Sequence, residues 1–258
     1  MFYKVFVFIF IIFINGCVTL TDKLVFSESN HERNQAFMSL EKVSLEEARY
    51  TARDLKEIFN LSEEKYKIRA AYGLLRISVI MTKNNNFKEA LDYCNFILSY
   101  GLVDSYGLKS DGFSKYVTPY FLSNLSYILP LTAAERKSKE WVLLADFFIK
   151  YKDKYKVQIT EKQFFLIREA SALNLLDNAF KDGNVISLYD IINIYKNTWT
   201  FKTVQKIINI MAGEKEKNKG IEEKYILVNN NTIYDIYKKS VVEIDNLIDK
   251  TAKNLIKK

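Results

Sequence analysis

The chain has 258 residues, 48% hydrophobic and 14% aromatic, with 38 basic against 31 acidic side chains for a formal charge of +7. That excess is too mild for a nucleic-acid binder, while the length suffices for one or two domains with a real core. One histidine, two cysteines and eight glycines cannot furnish a zinc site of three or four ligands and leave little for phosphate-cradling loops, so neither metal nor nucleotide cofactor is expected.

The chain opens Met1-Phe2-Tyr3-Lys4, a short start with one positive charge, and continues through an uncharged apolar run from Val5 to Ile14. That run has the length of a signal-peptide core and is too short for a permanent membrane helix. Ile14-Asn15-Gly16-Cys17 follows. An aliphatic residue, then a small residue, then cysteine resembles the lipobox of bacterial lipoproteins, with Asn15 departing from the usual Ala or Ser. Relaxed forms of this kind resemble those of spirochaete lipoproteins. The resemblance implies that residues 1–16 are a cleaved signal and that Cys17 becomes the lipidated first residue, anchoring the protein to a membrane without spanning it. With Lys4 removed and no acid lost, the formal charge falls from +7 to +6. Residues 17–34 show weak periodicity and read as a flexible tether containing the sole histidine, His31.

From residue 35 to 212 apolar residues recur at helical spacing, which predicts an all-α body of short antiparallel helices. Leu74, Ile77-Ser78 and Met81 lie on one helix, Asn84-Asn85-Asn86 makes a turn, and Phe87, Ala90, Leu91, Cys94, Ile97 and Leu98 lie on the next. This unit resembles a tetratricopeptide repeat, whose small residue at the Ala90 position lets two helices cross closely. Asn85 stands where that family has glycine and can adopt a left-handed backbone. Ile97 is larger than the family pattern, and the closing proline is absent. Weaker echoes occur at Leu45 to Leu55, and at Ala172 to Phe180 followed by the turn Lys181-Asp182-Gly183-Asn184. Helices are also expected near 119–129, with Thr118-Pro119 as its start, and near 133–152. An unrelated helical bundle would show the same periodicity. Cys94 reads as a small buried residue, and with Cys17 acylated no intramolecular disulfide is available.

Residues 213–258 form a further segment. Gly213 to Gly220 is a charged linker, Lys224-Tyr225-Ile226-Leu227-Val228 reads as a short strand with Lys156-Val157-Gln158-Ile159 as its candidate partner, and a C-terminal helix begins at Thr232. That helix either caps the body or docks a partner.

No catalytic constellation stands out, and the pairs Glu46-Glu47, Glu63-Glu64 and Glu222-Glu223 read as solvated surface. The expectation is therefore a non-enzymatic scaffold or adaptor in the cell envelope, facing the periplasm and holding another envelope protein. Alternatives are a small-ligand-binding accessory of a transport system and a surface protein that contacts a host. The tetratricopeptide resemblance implies a concave groove lined by Tyr72, Leu75, Val79, Thr82, Leu173, Asp177 and Phe180. The same side chains fit equally well into a core covered by another helix of the chain.

Overall fold

The computed structural model describes residues 19–256; the expected signal (residues 1–16) and Cys17 lie outside the described residues. The chain is all-α. In order come α1 (Leu20–Val25), α2 (Asn30–Ser39), α3 (Leu45–Leu61), α4 (Glu64–Lys83) and α5 (Phe87–Ile97). A π-helical turn (Leu98–Leu102) leads to β1 (Val103–Asp104) and β2 (Gly107–Leu108), a two-stranded antiparallel hairpin. Then follow α6 (Gly112–Leu131), a 3-10 turn (Ala133–Glu135), α7 (Lys139–Tyr151), α8 (Glu161–Asp182), α9 (Val185–Ile194), α10 (Trp199–Lys217), α11 (Glu223–Asn229) and α12 (Asn231–Ile256).

Many of these helices begin where a small oxygen-bearing side chain satisfies an otherwise orphaned backbone N–H. Ser44 accepts from Glu47, Asp111 from Ser114, Ser138 from Trp141 and Thr198 from Phe201. Thr19 with Asp22, and Thr160 with Gln163, form reciprocal capping boxes. Left-handed residues end two of these helices, among other turns: Asn85 at φ 60° after α4, as its place in the turn predicts, and Gly183 at φ 61° after α8.

Helix pairs then pack through their apolar faces. Leu74, Ile77, Ser78 and Met81 of α4 are fully buried, and Ala90 of α5 is fully covered where the two helices meet. Helix α4 packs on α3, α5 and α6; α6 on α7 and α8; α8 on α9 and α10; and α5 lies beside α7. Helices α4, α6, α8 and α10 thus form one layer, backed by α5, α7 and α9. Helix α12 crosses the first layer, touching α6, α8, α10 and the 3-10 turn.

Four expectations are corrected. Residues 19–34 are no flexible tether: α1 and the first half of α2 lie there, Leu24 and Val25 are fully buried, and Arg69 of α4 donates to the Val25 carbonyl at 2.7 Å. The helix expected near 119–129 starts at Gly112, because Asp111 caps it, so Pro119 lies inside it. Pro119 and Lys115, whose carbonyl loses its helical donor, are both exposed, on the solvent side of the helix where the lost bond costs least. Residues 224–228 are helical in α11, and the hairpin sits at 103–108 instead. Gly213 lies within α10, which shortens the linker to a few residues.

Candidate functional site

The seven groove candidates divide by depth. Leu75 and Leu173 are fully buried, and Thr82 and Phe180 are nearly so. Thr82 turns its hydroxyl back to the Ser78 carbonyl at 2.9 Å. Phe180 stacks on Tyr237 of α12, with ring centroids 3.9 Å apart and planes 8° from parallel. Tyr237 also donates to Asp177 at 3.2 Å. Burial raises the Asp177 carboxyl and, with the Asp177 charge next in effect, pushes the Tyr237 phenol up to about 12. The α8 face carrying Leu173, Asp177 and Phe180 is therefore no open groove, because α12 lies in it. Leu75 and Thr82 are likewise core. Val79 is half-buried against that core.

Tyr72 alone leads to an exposed surface feature. Its hydroxyl donates to the Tyr116 carbonyl at 3.2 Å, and its ring meets Tyr120 edge-on at 4.8 Å. Tyr116, Tyr120 and Tyr127 are spaced four and seven residues apart on α6, which places them on one helical face. They are 59%, 37% and 37% exposed. Aromatic side chains that present an apolar ring and a polar tip are favoured at protein interfaces. The ridge's spacing is present in the sequence, but tyrosine at helical spacing is indistinguishable there from ordinary core.

A clasp at the other end of the same layer holds α12 in place. Arg136, 4% exposed, donates to Asp245 at 2.5 and 3.1 Å, to Asp249 at 2.6 Å and to the Ala133 carbonyl at 3.1 Å. Lys137 adds a bond to Asp245 at 3.1 Å, and Asn174 of α8 donates to the Arg136 carbonyl. Burial acts to raise the Asp245 carboxyl, but the hydrogen bonds from Arg136 and Lys137 outweigh it and hold it below its ordinary value of 3.8. A carboxyl with a lowered folded value contributes stability that is present above its unfolded value and lost as pH falls through the folded one. Docking of α12 should therefore weaken in acid. Melting from about pH 6 down to about pH 2 should show a decline that Asp245→Asn makes shallower; equal slopes would show that Asp245 does not govern it.

Glu169 on α8 is the one fully buried carboxylate among the described residues. One oxygen accepts from the Trp199 N–H at 2.7 Å; the other accepts from the Thr200 N–H at 2.9 Å and the Thr200 hydroxyl at 2.5 Å. Burial still holds its carboxyl above the usual range, against those three donors. It caps the start of α10. Its sequence signal is a charge set in the apolar stripe of Leu166, Ala170 and Leu173.

A cleft of roughly 170 Å³ lies between Phe59, Tyr100, Gly101 and Phe113, rimmed by Glu64, Lys67, Lys109 and Asp111. Its two acids balance its two lysines, and its volume falls below that of ordinary small-molecule sites, about 300 Å³ and upward. Cys94 is fully buried, and burial pushes its thiol up to about 12, outweighing the opposing influence of the neighbouring Ser78 hydroxyl. Such a thiol is inert at neutral pH. Among the described residues no group of three or more His, Cys, Asp or Glu is placed to hold a metal ion. No helix among them is long and apolar enough to cross a membrane.

Comparison with protein-family models, with curated proteins and with solved structures finds no match for this chain.

Proposed function

We propose that this protein is a non-enzymatic interaction scaffold of a bacterial envelope, anchored by lipid at Cys17 and holding another envelope protein at the membrane. The observation that carries the binding role is the ridge of Tyr116, Tyr120 and Tyr127, buttressed by Tyr72. It is an exposed aromatic surface on a well-packed layer of helices. The non-enzymatic reading is supported by where the buried acids go: Glu169 caps a helix, and Asp177 is tied to Tyr237. The helix pairs and the small Ala90 at their crossing support a tetratricopeptide-like array. The anchor and the periplasm-facing placement rest on the lipobox-like Ile14-Asn15-Gly16-Cys17.

The test is crosslinking of the full chain in its native envelope, followed by affinity purification and mass spectrometry. One stoichiometric partner, reduced more than about tenfold by Tyr116→Ala/Tyr120→Ala in a chain that melts like wild type, is the expected result. A partner indifferent to that double variant removes the ridge from the reading. A small molecule retained in place of a protein favours the ligand-binding alternative. Cys17→Ala should release the chain from membranes; an acylated, membrane-bound variant would end the lipoprotein assignment.

A further inference from the structure

The far end of the helix array carries a second surface, separate from the tyrosine ridge. Each layer helix from α4 to α8 is followed by a backing helix of ten or more residues, but α10 is followed by α11, which has seven. Helix α11 seats on α10 and the edge of α9 by burying Ile226 and Leu227, and its Glu223 pairs with Lys215 of α10 at 3.0 Å. Beyond it the α9–α10 groove continues uncovered. Two hollows of roughly 380 and 560 Å³ share Ile208 as a common wall. Their apolar lining is Tyr189, Ile192, Ile208 and Met211, and neighbouring Ile186 is 71% exposed. From Met211 back to Lys202 the groove runs on the order of 14 Å, about the length of two and a half helical turns.

The charges along it are uneven. At the α11 end Lys215 is neutralised by Glu223, and Glu216 adds a negative charge. At the open end Lys202 and Lys206 stand one turn apart, exposed, and neither pairs with a carboxylate among the described residues. We propose that this groove receives an amphipathic helix from another protein. An apolar stripe would lie on Ile192 and Ile208, with carboxylates reaching Lys202 and Lys206. Helix α11 is the resident template for that mode, with apolar residues buried and an acid on a lysine of α10. Every described helix is placed elsewhere, so none of them fills this groove. The pattern matches the general helix-in-groove mode of recognition.

The experiment uses the full chain in mild nonionic detergent and a fluorescent, end-capped helical probe peptide of about 14 residues. The probe carries leucine at helical spacing with glutamate on the flanks, and a control replaces every glutamate with lysine. The glutamate probe should bind at least about tenfold tighter than the control, with an advantage that shrinks in salt. Lys202→Glu/Lys206→Glu, at exposed positions, should reverse the preference while leaving the melting curve unchanged. Tyr189→Ala should weaken both peptides. Equal binding of the two peptides, no binding of either, or indifference to the charge reversal would overturn the proposal. So would a sedimenting dimer that Tyr189→Glu dissolves, since the occupant would then be a second copy. None of these outcomes touches the tyrosine ridge, whose double variant is measured separately.

Discussion

A chain ending at Asn230 should not fold cooperatively. Removing α12 uncovers Leu173 and Phe180 on α8, and it deletes Ile233, Ile244, Ile248 and Ala252, each at most 4% exposed. It also takes away the Tyr237 ring stacked on Phe180 and both carboxylates that satisfy the Arg136 guanidinium. Burying one large aliphatic side chain contributes about 1.5–3 kcal/mol, so the three isoleucines alone approach the roughly 5–15 kcal/mol by which a domain is stable. Arg136 would keep only its bond to the Ala133 carbonyl and lose every carboxylate that now pairs with it. Circular dichroism of the truncated chain should show a broad, weakly cooperative melt, or the protein should aggregate. A sharp transition within about 5 °C of the whole chain would show instead that α12 is a detachable module and that the α8 face can stand open.

The second large effect is expected at Glu169. Its two oxygens meet three donors at the start of α10, so truncation to alanine leaves the buried Thr200 N–H and the part-buried Trp199 N–H without their acceptor. Each such orphan costs about 1–3 kcal/mol, giving roughly 2–6 kcal/mol for Glu169→Ala. Glutamine is no substitute. Either orientation of its amide points an NH2 at a donor, so Glu169→Gln should lose most of the same stability. Thr200→Val removes only the hydroxyl and should cost about 1 kcal/mol. Urea midpoints for the three variants check the ordering. A glutamine variant as stable as wild type would mean that the acid is held neutral and that its contacts are not those of a cap.

What could be read beforehand, and what could not, follows from the range of the forces involved. The helical body was readable because apolar spacing records a buried face directly: Leu74, Ile77 and Met81 repeat at helical intervals and are fully covered. Turn chemistry was equally local, and Asn85 and Gly183 take the left-handed backbone their positions called for. Tyr225-Ile226-Leu227-Val228 misled because a short apolar run has no period of its own. Its buried residues are the adjacent pair Ile226 and Leu227, which suits a helix on a groove and not an alternating strand. The capping box of Thr19 and Asp22 was present in the sequence, but the polar run from Ser27 to Asn34 masked it. The groove candidates could not be settled locally. Whether Leu173 and Phe180 face water depends on α12, which begins some fifty residues later. The clasp between Arg136 and Asp245 spans more than a hundred residues, and spacing along a chain carries no information at that range.

The docked first helix sets how far this molecule can reach. Thr19 is already committed to its capping box, and Val25 is locked to Arg69, so a single residue, Val18, separates the proposed lipid-bearing Cys17 from the folded body. If Cys17 carries the proposed lipid, one extended residue spans about 3.5 Å, a leash too short for the body to wander from the bilayer. A protein held this way would not fish for partners across the width of the envelope; whatever it bound would have to come to it at the headgroups. Lengthening that leash with a flexible insert before Thr19 would then change which partners are within range, while leaving the affinity of each surface as it is.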